Sequence, residues 1–122
     1  MKQVVDVNLW GTVTVTKVFL PLVKKASGRI INIASAMSRV SLPGAAAYSM
    51  SKFGVVAFSD ALRVEMKGFK VSVHLIEPGF FRTNLTDPVK NKLCYDETWA
   101  NLSKDLKQSY GKEFINEGLW LG

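Results

Sequence analysis

Residues 29–54 read RIINIASAMSRVSLPGAAAYSMSKFG, and three successive patterns in them indicate an α/β fold. The first six residues form an apolar, largely β-branched run of the length expected for a strand buried on both faces. Residues 35–46 are rich in Ser, Gly and Pro and predict a loop. From Ala46 to Met66 apolar residues recur at helical spacing. The stretch therefore predicts a buried strand, a polar loop and a long helix.

The segments on either side continue the alternation of helix and strand. Apolar residues recur at helical spacing over residues 4–26, where we expect Pro21 to loosen the last turns. The run KVSVHLIE at 70–77 predicts a second strand, and Pro78-Gly79 ends it. Another amphipathic helix is predicted around Glu97–Tyr110. This order implies parallel strands joined by a right-handed crossover, as part of a larger sheet that pairs their edges.

Composition and charge limit the class of protein. With 122 residues, 48% hydrophobic and 21% charged, the chain has the composition of one globular domain. The single Cys94 and single His74 exclude an internal disulfide and a Cys or His zinc cluster, so no metal is expected. His74 is interpreted as a core histidine. The net charge of +6 comes from scattered basic residues, which argues against nucleic-acid binding, and no apolar run reaches the roughly 20 residues of a membrane span.

Polar side chains follow both predicted strands at their carboxyl ends, where open parallel sheets carry out chemistry. Ser35 follows the first strand, and Pro78-Gly79 follows the second. Tyr48 and Lys52 lie in the first turns of the helix that begins at the same edge. A nearby ammonium group favours the phenolate, so we expect Lys52 to lower the pKa of Tyr48 and make it a general acid and base. The Ser35 hydroxyl would bond a substrate oxygen on which charge develops.

The spacing of these residues resembles that of the short-chain dehydrogenase/reductase family. The family's Tyr-x-x-x-Lys motif is Tyr48-Ser-Met-Ser-Lys52, and its catalytic Ser lies 13 residues before the Tyr, at Ser35. Its helix Asn corresponds to Asn8, and its Pro-Gly followed by Thr corresponds to residues 78–83. Within this family, the amino-acid sequence is most similar to the branch that contains the hydroxybutyrate, 17β-hydroxysteroid and retinol dehydrogenases.

This resemblance, which extends over residues 3–85, implies both a fold and a reaction. The fold would be the second half of a Rossmann-like doubly wound parallel sheet, with the N-terminal half missing. The reaction would be hydride exchange between a nicotinamide cofactor and a secondary alcohol or ketone, with Tyr48 as the base. Lys52 would also bind the nicotinamide ribose, and Ser35 would hold the substrate oxygen. Asn8 would support a water-linked proton relay.

The resemblance also implies contacts with the nicotinamide carboxamide. The residues that would border it are Pro78, Gly79, Phe81 through its backbone, and Thr83. The family's glycine-rich phosphate loop and the acidic residue that selects NAD over NADP are absent from the chain. NAD is favoured by the resemblance, and NADP stays open as the cofactor.

Domain organisation, partners and compartment are expected from the same resemblance. Residues 1–122 would be the catalytic half of one domain, with a substrate-side helix and tail over 84–122. The helices at 4–26 and 46–66 would pair across the subunits of a homo-oligomer acting on a small alcohol or ketone. The compartment would be the mitochondrion or the endoplasmic reticulum membrane, and the +6 charge would permit peripheral contact with anionic lipid.

Simpler explanations compete with this site. Tyr48 and Lys52 taken alone fit a half-exposed helix face. Ser35 could be a turn-capping hydroxyl, Asn8 could bond a local carbonyl, and Thr83 could cap a helix. A Ser-His-Asp hydrolase using Ser35, His74 and Asp60 is excluded, because no GxSxG elbow surrounds the Ser and a mid-strand His cannot reach the strand end. The missing phosphate loop leaves a second hypothesis, a truncated, inactive isoform that acts only as an interaction module.

Overall fold

The computed structural model describes residues 1–81 and 87–111 of the chain. The chain divides into two compact units, Met1–Gly79 and Phe80–Gly122. The first unit contains both strands and the elements that carry most of the predicted site residues. No helix within the described ranges is long and apolar enough to cross a membrane.

The first unit begins with a long helical segment whose winding changes partway. Helix α1 (Lys2–Val5) continues through a π-helical turn (Asp6–Trp10) into α2 (Gly11–Lys25). The predicted helix over 4–26 is thus confirmed, but Pro21 lies inside α2 without ending it. Helix α2 ends just before Ser27, which adopts a left-handed φ of 47°. The Gly28 N–H donates to the Val23 carbonyl at 2.9 Å. This pattern of bonds is a Schellman cap.

The two strands pair in parallel, as the sequence predicts. Strand β1 (Arg29–Ile33) lies beside β2 (Ser72–Ile76), with Arg29 opposite Ser72 and Ile33 opposite Ile76. Helix α3 (Ala46–Glu65) connects them, preceded by a 3₁₀ turn at Ala36–Ser38 and followed by another at Lys67–Phe69. Strand β2 starts later than predicted because Lys70 has a left-handed φ of 57°, which a strand cannot continue through.

Only one face of the sheet is covered in the described part of the chain. The covered face and the helices packed on it form two apolar clusters. The first contains Leu62, Met66, Val71 and Val73 with Leu20, Val23, Ile30 and Phe58, and the second contains Ala34, Val55 and Val56 with Leu9 and Leu75. The expectation that the first strand is buried on both faces is wrong for the described chain, because side chains alternate along a strand and α2 and α3 pack on the same face.

The uncovered face corrects the interpretation of His74. The six strand residues that point to this face are all exposed, and they are Arg29, Ile31, Ile33, Ser72, His74 and Ile76. His74 lies directly opposite Ile31 in the register, so it shares that residue's exposed face. Mid-strand position was therefore a poor guide to burial.

The described part of the second unit contains two short helices. Helix α4 (Pro88–Ala100) is capped by Asp87, whose carboxylate accepts from Val89 N–H at 2.9 Å. Helix α5 (Lys104–Tyr110) is capped by Ser103, whose hydroxyl accepts from Leu106 N–H at 3.4 Å. The prediction of one helix over Glu97–Tyr110 is wrong. A serine at an N-cap position starts a new helix in preference to continuing the old one.

Candidate active site

The loops that follow β1 and β2 are joined to each other at the carboxyl ends of the strands. The Ala34 N–H donates to the Ile76 carbonyl at 2.8 Å, and the Ala36 N–H donates to the Pro78 carbonyl at 2.8 Å. These two bonds continue the ladder past the last paired residues of both strands. Ser35 and Pro78 therefore lie on adjoining backbone segments, which is the placement that the sequence predicts.

Ser35 is half-buried and has an extended backbone with φ −170° and ψ 160°. Its Oγ accepts a hydrogen bond from the Met37 N–H at 3.2 Å and so caps the 3₁₀ turn. The turn-capping explanation for Ser35 is thus correct in part. A hydroxyl oxygen that accepts one bond still keeps its proton and can donate it to a further oxygen.

Tyr48 and Lys52 lie in the first two turns of α3, and both are half-buried. The Lys52 Nζ donates to the carbonyl of Ile33, the last residue of β1, at 3.2 Å. The same Nζ lies 5.7 Å from the centroid of the Tyr48 ring, within the range of a cation–π interaction. Lys52 thus links the start of α3 to the end of β1 and places a positive charge beside the phenol.

Asn8 reaches the same region from the π-helical turn. Its Nδ2 donates to the Ser51 Oγ at 3.2 Å, and the Ser51 hydroxyl donates to the Tyr48 carbonyl at 2.7 Å. Ser51 has 0% of its surface exposed, so the hydroxyl at the middle of this chain of bonds is buried. The Asn8 carbonyl accepts from the Thr12 hydroxyl at 2.8 Å. Single π-helical turns within α-helices occur frequently at functional sites.

Ser51 was missed by sequence reasoning, which gave it no role in the predicted site. Its position three residues after Tyr48 places it within reach of the Tyr48 carbonyl, as serines on helices commonly bond a carbonyl one turn back. The contact with Asn8 spans 43 residues of sequence. No local pattern could reveal that contact.

Gly54 allows α3 to approach the π-helical turn closely. A Cβ at Gly54 would lie 2.7 Å from Leu9 Cδ2 and 3.0 Å from Leu9 Cδ1. Real Cβ atoms do not approach carbon atoms this closely, so a larger residue would displace Leu9 or the helix. Because Leu9 follows Asn8, this close packing sets how near Asn8 lies to Ser51.

A charged cluster spans the two loops beside Ser35. The Arg39 Nε donates to Glu77 Oε1 and its Nη2 to Glu77 Oε2, both at 2.8 Å, and the Ser38 Oγ lies 2.5 Å from Oε1. The hydrogen bond from Arg39, followed by that from Ser38, holds the pKa of the Glu77 carboxyl below its usual value. The same bond raises the pKa of Arg39. Both groups are therefore fully charged at neutral pH.

The remaining predicted cofactor residues differ in their exposure, and one of them lies outside the described part of the chain. Pro78 is half-buried, and Gly79 is exposed with no atom within 4 Å of the place that a Cβ would occupy. Phe81 is exposed and belongs to the second unit. Thr83 lies outside the described residues. Within the first unit, separate hydrogen bonds link Asn8 through Ser51 to the Tyr48 carbonyl, Lys52 to the end of β1, and the backbone of Ala36, next to Ser35, to Pro78.

The chain is similar in sequence to known dehydrogenases. The family model for short chain dehydrogenase matches residues 1–93. The bovine protein dehydrogenase/reductase SDR family member 9 is 48% identical over 118 residues, which make up 97% of this chain and 37% of the relative. The mitochondrial D-beta-hydroxybutyrate dehydrogenase of rat is 43% identical over 95% of this chain and 34% of its own length. The chain therefore spans about a third of the length of these relatives.

A solved structure agrees with the sequence comparison. The crystal structure of a short chain dehydrogenase from Burkholderia cenocepacia J2315 in complex with NADP is 33% identical and superimposes with a TM-score of 0.66. The match covers 70% of this chain and 36% of that one. The parallel pair of strands with helices on one face corresponds to part of a Rossmann-like sheet. The chain is a member of the short-chain dehydrogenase/reductase family of oxidoreductases.

Proposed function

We propose that Ser35, Tyr48 and Lys52 catalyse the interconversion of a secondary alcohol and a ketone with a nicotinamide cofactor. The observation that carries this proposal is the hydrogen bond from Lys52 Nζ to the Ile33 carbonyl at 3.2 Å. It fixes the start of α3 at the carboxyl end of β1, so the phenol, the ammonium and the Ser35 loop share one edge of the sheet. That edge is where open parallel sheets bind ligands.

The chemistry follows from the three side chains. In the oxidation direction, the Tyr48 oxygen takes the proton from the substrate hydroxyl while the carbinol C–H bond breaks and the C=O bond forms. The Ser35 hydroxyl donates to the same substrate oxygen and stabilises the charge that develops there. The Lys52 ammonium supplies a positive charge 5.7 Å from the centroid of the Tyr48 ring. When bound, a nicotinamide cofactor supplies the acceptor for the hydride that leaves the carbinol carbon.

The residues at the strand ends suit a nicotinamide ring and its ribose. The Lys52 ammonium carries two protons beyond the one it gives to Ile33, and these would bond the ribose hydroxyls. The open space around Gly79 leaves room for a planar ring beside the backbone that follows Pro78. Roles for Phe81 and Thr83 at the carboxamide stay predictions from the sequence. NAD is our expectation for this chain, and NADP is the alternative. The Burkholderia cenocepacia structure is a complex with NADP, which is a property of that protein alone.

The proposed substrate is a hydroxybutyrate, a steroid alcohol or a retinoid alcohol. One curated relative carries hydroxybutyrate in its name and is called mitochondrial. The mitochondrion and the endoplasmic reticulum membrane are accordingly the proposed compartments.

We also propose a homo-oligomer in which α2 and α3 of one subunit pack against the same helices of another subunit. Apolar residues exposed on α2 favour this pairing, and they are Val15, Val18, Phe19 and Leu22.

The test uses a chimera in which this whole chain replaces the matching segment of the bovine relative. Ser35→Ala is compared with Ser72→Ala, which removes a hydroxyl from the opposite, amino-terminal end of the sheet. Turnover is followed by the absorbance of reduced nicotinamide with each of the three alcohol classes. We expect Ser35→Ala to lower kcat by about 10²- to 10³-fold and Ser72→Ala to leave it unchanged, since only the first removes a donor to the developing charge. Equal kcat values for the two variants would refute the role of Ser35.

A further inference from the structure

Glu77 forms a two-point contact that joins the two loops of the site. Its carboxylate accepts from Arg39 Nε and Arg39 Nη2 in a fork at 2.8 Å each, across 38 residues of sequence. A bidentate pair of this kind fixes orientation as well as distance, because both planar groups must align. Glu77 immediately precedes Pro78, and Arg39 ends the 3₁₀ turn that Ser35 begins.

Ser38 connects this ion pair to the backbone of Ser35. Its side chain is 1% exposed, and its hydroxyl lies within hydrogen-bond distance of both Glu77 Oε1 and the Ser35 carbonyl. A serine hydroxyl has one proton, so it donates to one of these oxygens at a time. In either case, the buried hydroxyl lies within hydrogen-bond distance of both the Glu77 carboxylate and the Ser35 peptide.

The position of this cluster separates it from an ordinary surface ion pair. Exposed ion pairs contribute little to stability, and the Arg39 side chain is 62% exposed. Its effect on stability is therefore expected to be small. Its effect on geometry is different, because β1 and β2 end at Ile33 and Ile76, before Ser35 and Pro78. Beyond those residues the spacing of the two loops depends on the Ala34 and Ala36 backbone bonds and on this cluster.

We propose that Glu77, acting through Arg39 and Ser38, is a positioning residue that fixes Ser35 relative to Pro78-Gly79. The inference rests on the proposed function, in which Ser35 holds the substrate oxygen and Pro78-Gly79 borders the nicotinamide. Glu77 touches neither ligand. It sets the distance between the groups that do, and so determines how well the carbinol carbon faces its hydride acceptor.

The test measures chemistry and folding separately in the chimera. Glu77→Gln keeps the shape of the side chain but removes the charge, and Arg39→Ala removes the other half of the pair. The matched control is Asp60→Asn, which removes the charge from another exposed pair, that of Asp60 with Arg63 on α3. The readouts are kcat, the KM of the cofactor, the primary deuterium isotope effect with alcohol deuterated at the carbinol carbon, and the folded fraction by circular dichroism.

We expect Glu77→Gln and Arg39→Ala to lower kcat by about 10- to 100-fold, as small misplacements of reacting groups do. The isotope effect and the cofactor KM should both rise, because hydride transfer becomes slower and the loop that borders the nicotinamide shifts. The folded fraction should stay unchanged, and Asp60→Asn should match the wild type in every readout. Arg39→Glu combined with Glu77→Arg should recover most of the lost kcat.

Two results would overturn the inference. One is wild-type kinetics for Glu77→Gln. The other is a loss of activity that only follows the folded fraction, with the isotope effect and KM unchanged. The Tyr48→Phe variant of the same chimera keeps this separate from the proposed function. If Tyr48→Phe is inactive while Glu77→Gln behaves as wild type, the function stands and the positioning role fails, whereas an active Tyr48→Phe overturns the function itself.

Discussion

Three buried serines on α3 differ in what their hydroxyl groups bond. Ser51 lies between Asn8 and the Tyr48 carbonyl, as described above. Ser59 accepts from Asn32 Nδ2 at 2.8 Å and donates to the Val55 carbonyl at 2.7 Å, which ties α3 to the middle of β1. The Ser49 hydroxyl is buried and makes no hydrogen bond to the described residues. A buried hydroxyl without a partner loses its hydrogen bonds to water and so lowers the free energy of unfolding, whereas a bonded hydroxyl replaces those bonds within the protein.

This contrast predicts opposite effects of two similar substitutions. Ser49→Ala removes an unbonded buried hydroxyl and should raise the free energy of unfolding by about 1 kcal/mol. Ser59→Ala leaves the buried Asn32 amide without its partner and should lower the free energy of unfolding by about 1–3 kcal/mol. Both values come from urea unfolding of the chain followed by circular dichroism. A destabilised Ser49→Ala, or a Ser59→Ala that matches the wild type, would contradict this description of the two hydroxyls.

At the scale of residues, sequence reasoning succeeded where the relevant spacing is local. Tyr48 and Lys52 are four apart on a helix, so their proximity follows from helical geometry. The pairings of Asn8 with Ser51 and of Arg39 with Glu77 span 43 and 38 residues, and only the folded chain brings them together. The chemical roles of Ser35, Tyr48 and Lys52 stay predictions, which the kinetic experiments address.

At the scale of elements, the order of helices and strands in the first unit was predicted, and their fine structure was not. The π-helical turn at Asp6–Trp10 was not predicted, because apolar residues at approximate helical spacing do not distinguish a single π-helical turn from the α-helix around it. The exposed face of the sheet was missed for a related reason. An apolar run such as RIINI indicates a strand but does not say which of its faces is covered in this chain.

Close packing between α3 and the π-helical turn gives a prediction at the same scale. Gly54→Ala should lower the free energy of unfolding by about 1–3 kcal/mol, since the new Cβ overlaps Leu9. Leu9 has little freedom to move, because it packs against the cluster of Ala34, Val55 and Val56. The gain in helix propensity, about 1 kcal/mol, offsets part of the cost.

Gly68→Ala is the matched control for this change. No atom lies within 4 Å of the place that its Cβ would occupy, so the substitution should be neutral or stabilise the chain by about 0.4–1 kcal/mol. Urea unfolding of both variants is the measurement. Equal stabilities for the two variants would show that Leu9 accommodates the extra carbon and that Gly54 is not required for the close approach.

At the scale of the whole molecule, the first unit carries the residues of the proposed active site at one edge of its two-stranded sheet. The first unit holds the proposed acid/base group, its charged neighbour and the substrate-binding hydroxyl, supported by hydrogen bonds from α3 to β1 and to the π-helical turn. The chain covers about a third of each curated relative described above. For this reason turnover is best measured in the chimera, in which the rest of the bovine relative is present.

The most direct test of the proposed chemistry is the turnover of the Tyr48→Phe chimera with each alcohol class and with NAD and NADP. Removing one oxygen atom leaves the ring and its contact with Lys52 in place, so circular dichroism and thermal unfolding should match the wild type. We predict that kcat falls by about 10²- to 10⁴-fold, the usual contribution of a positioned general acid or base. A folded Tyr48→Phe chimera that turns over as fast as the wild type would contradict the assignment of Tyr48 as the catalytic acid and base.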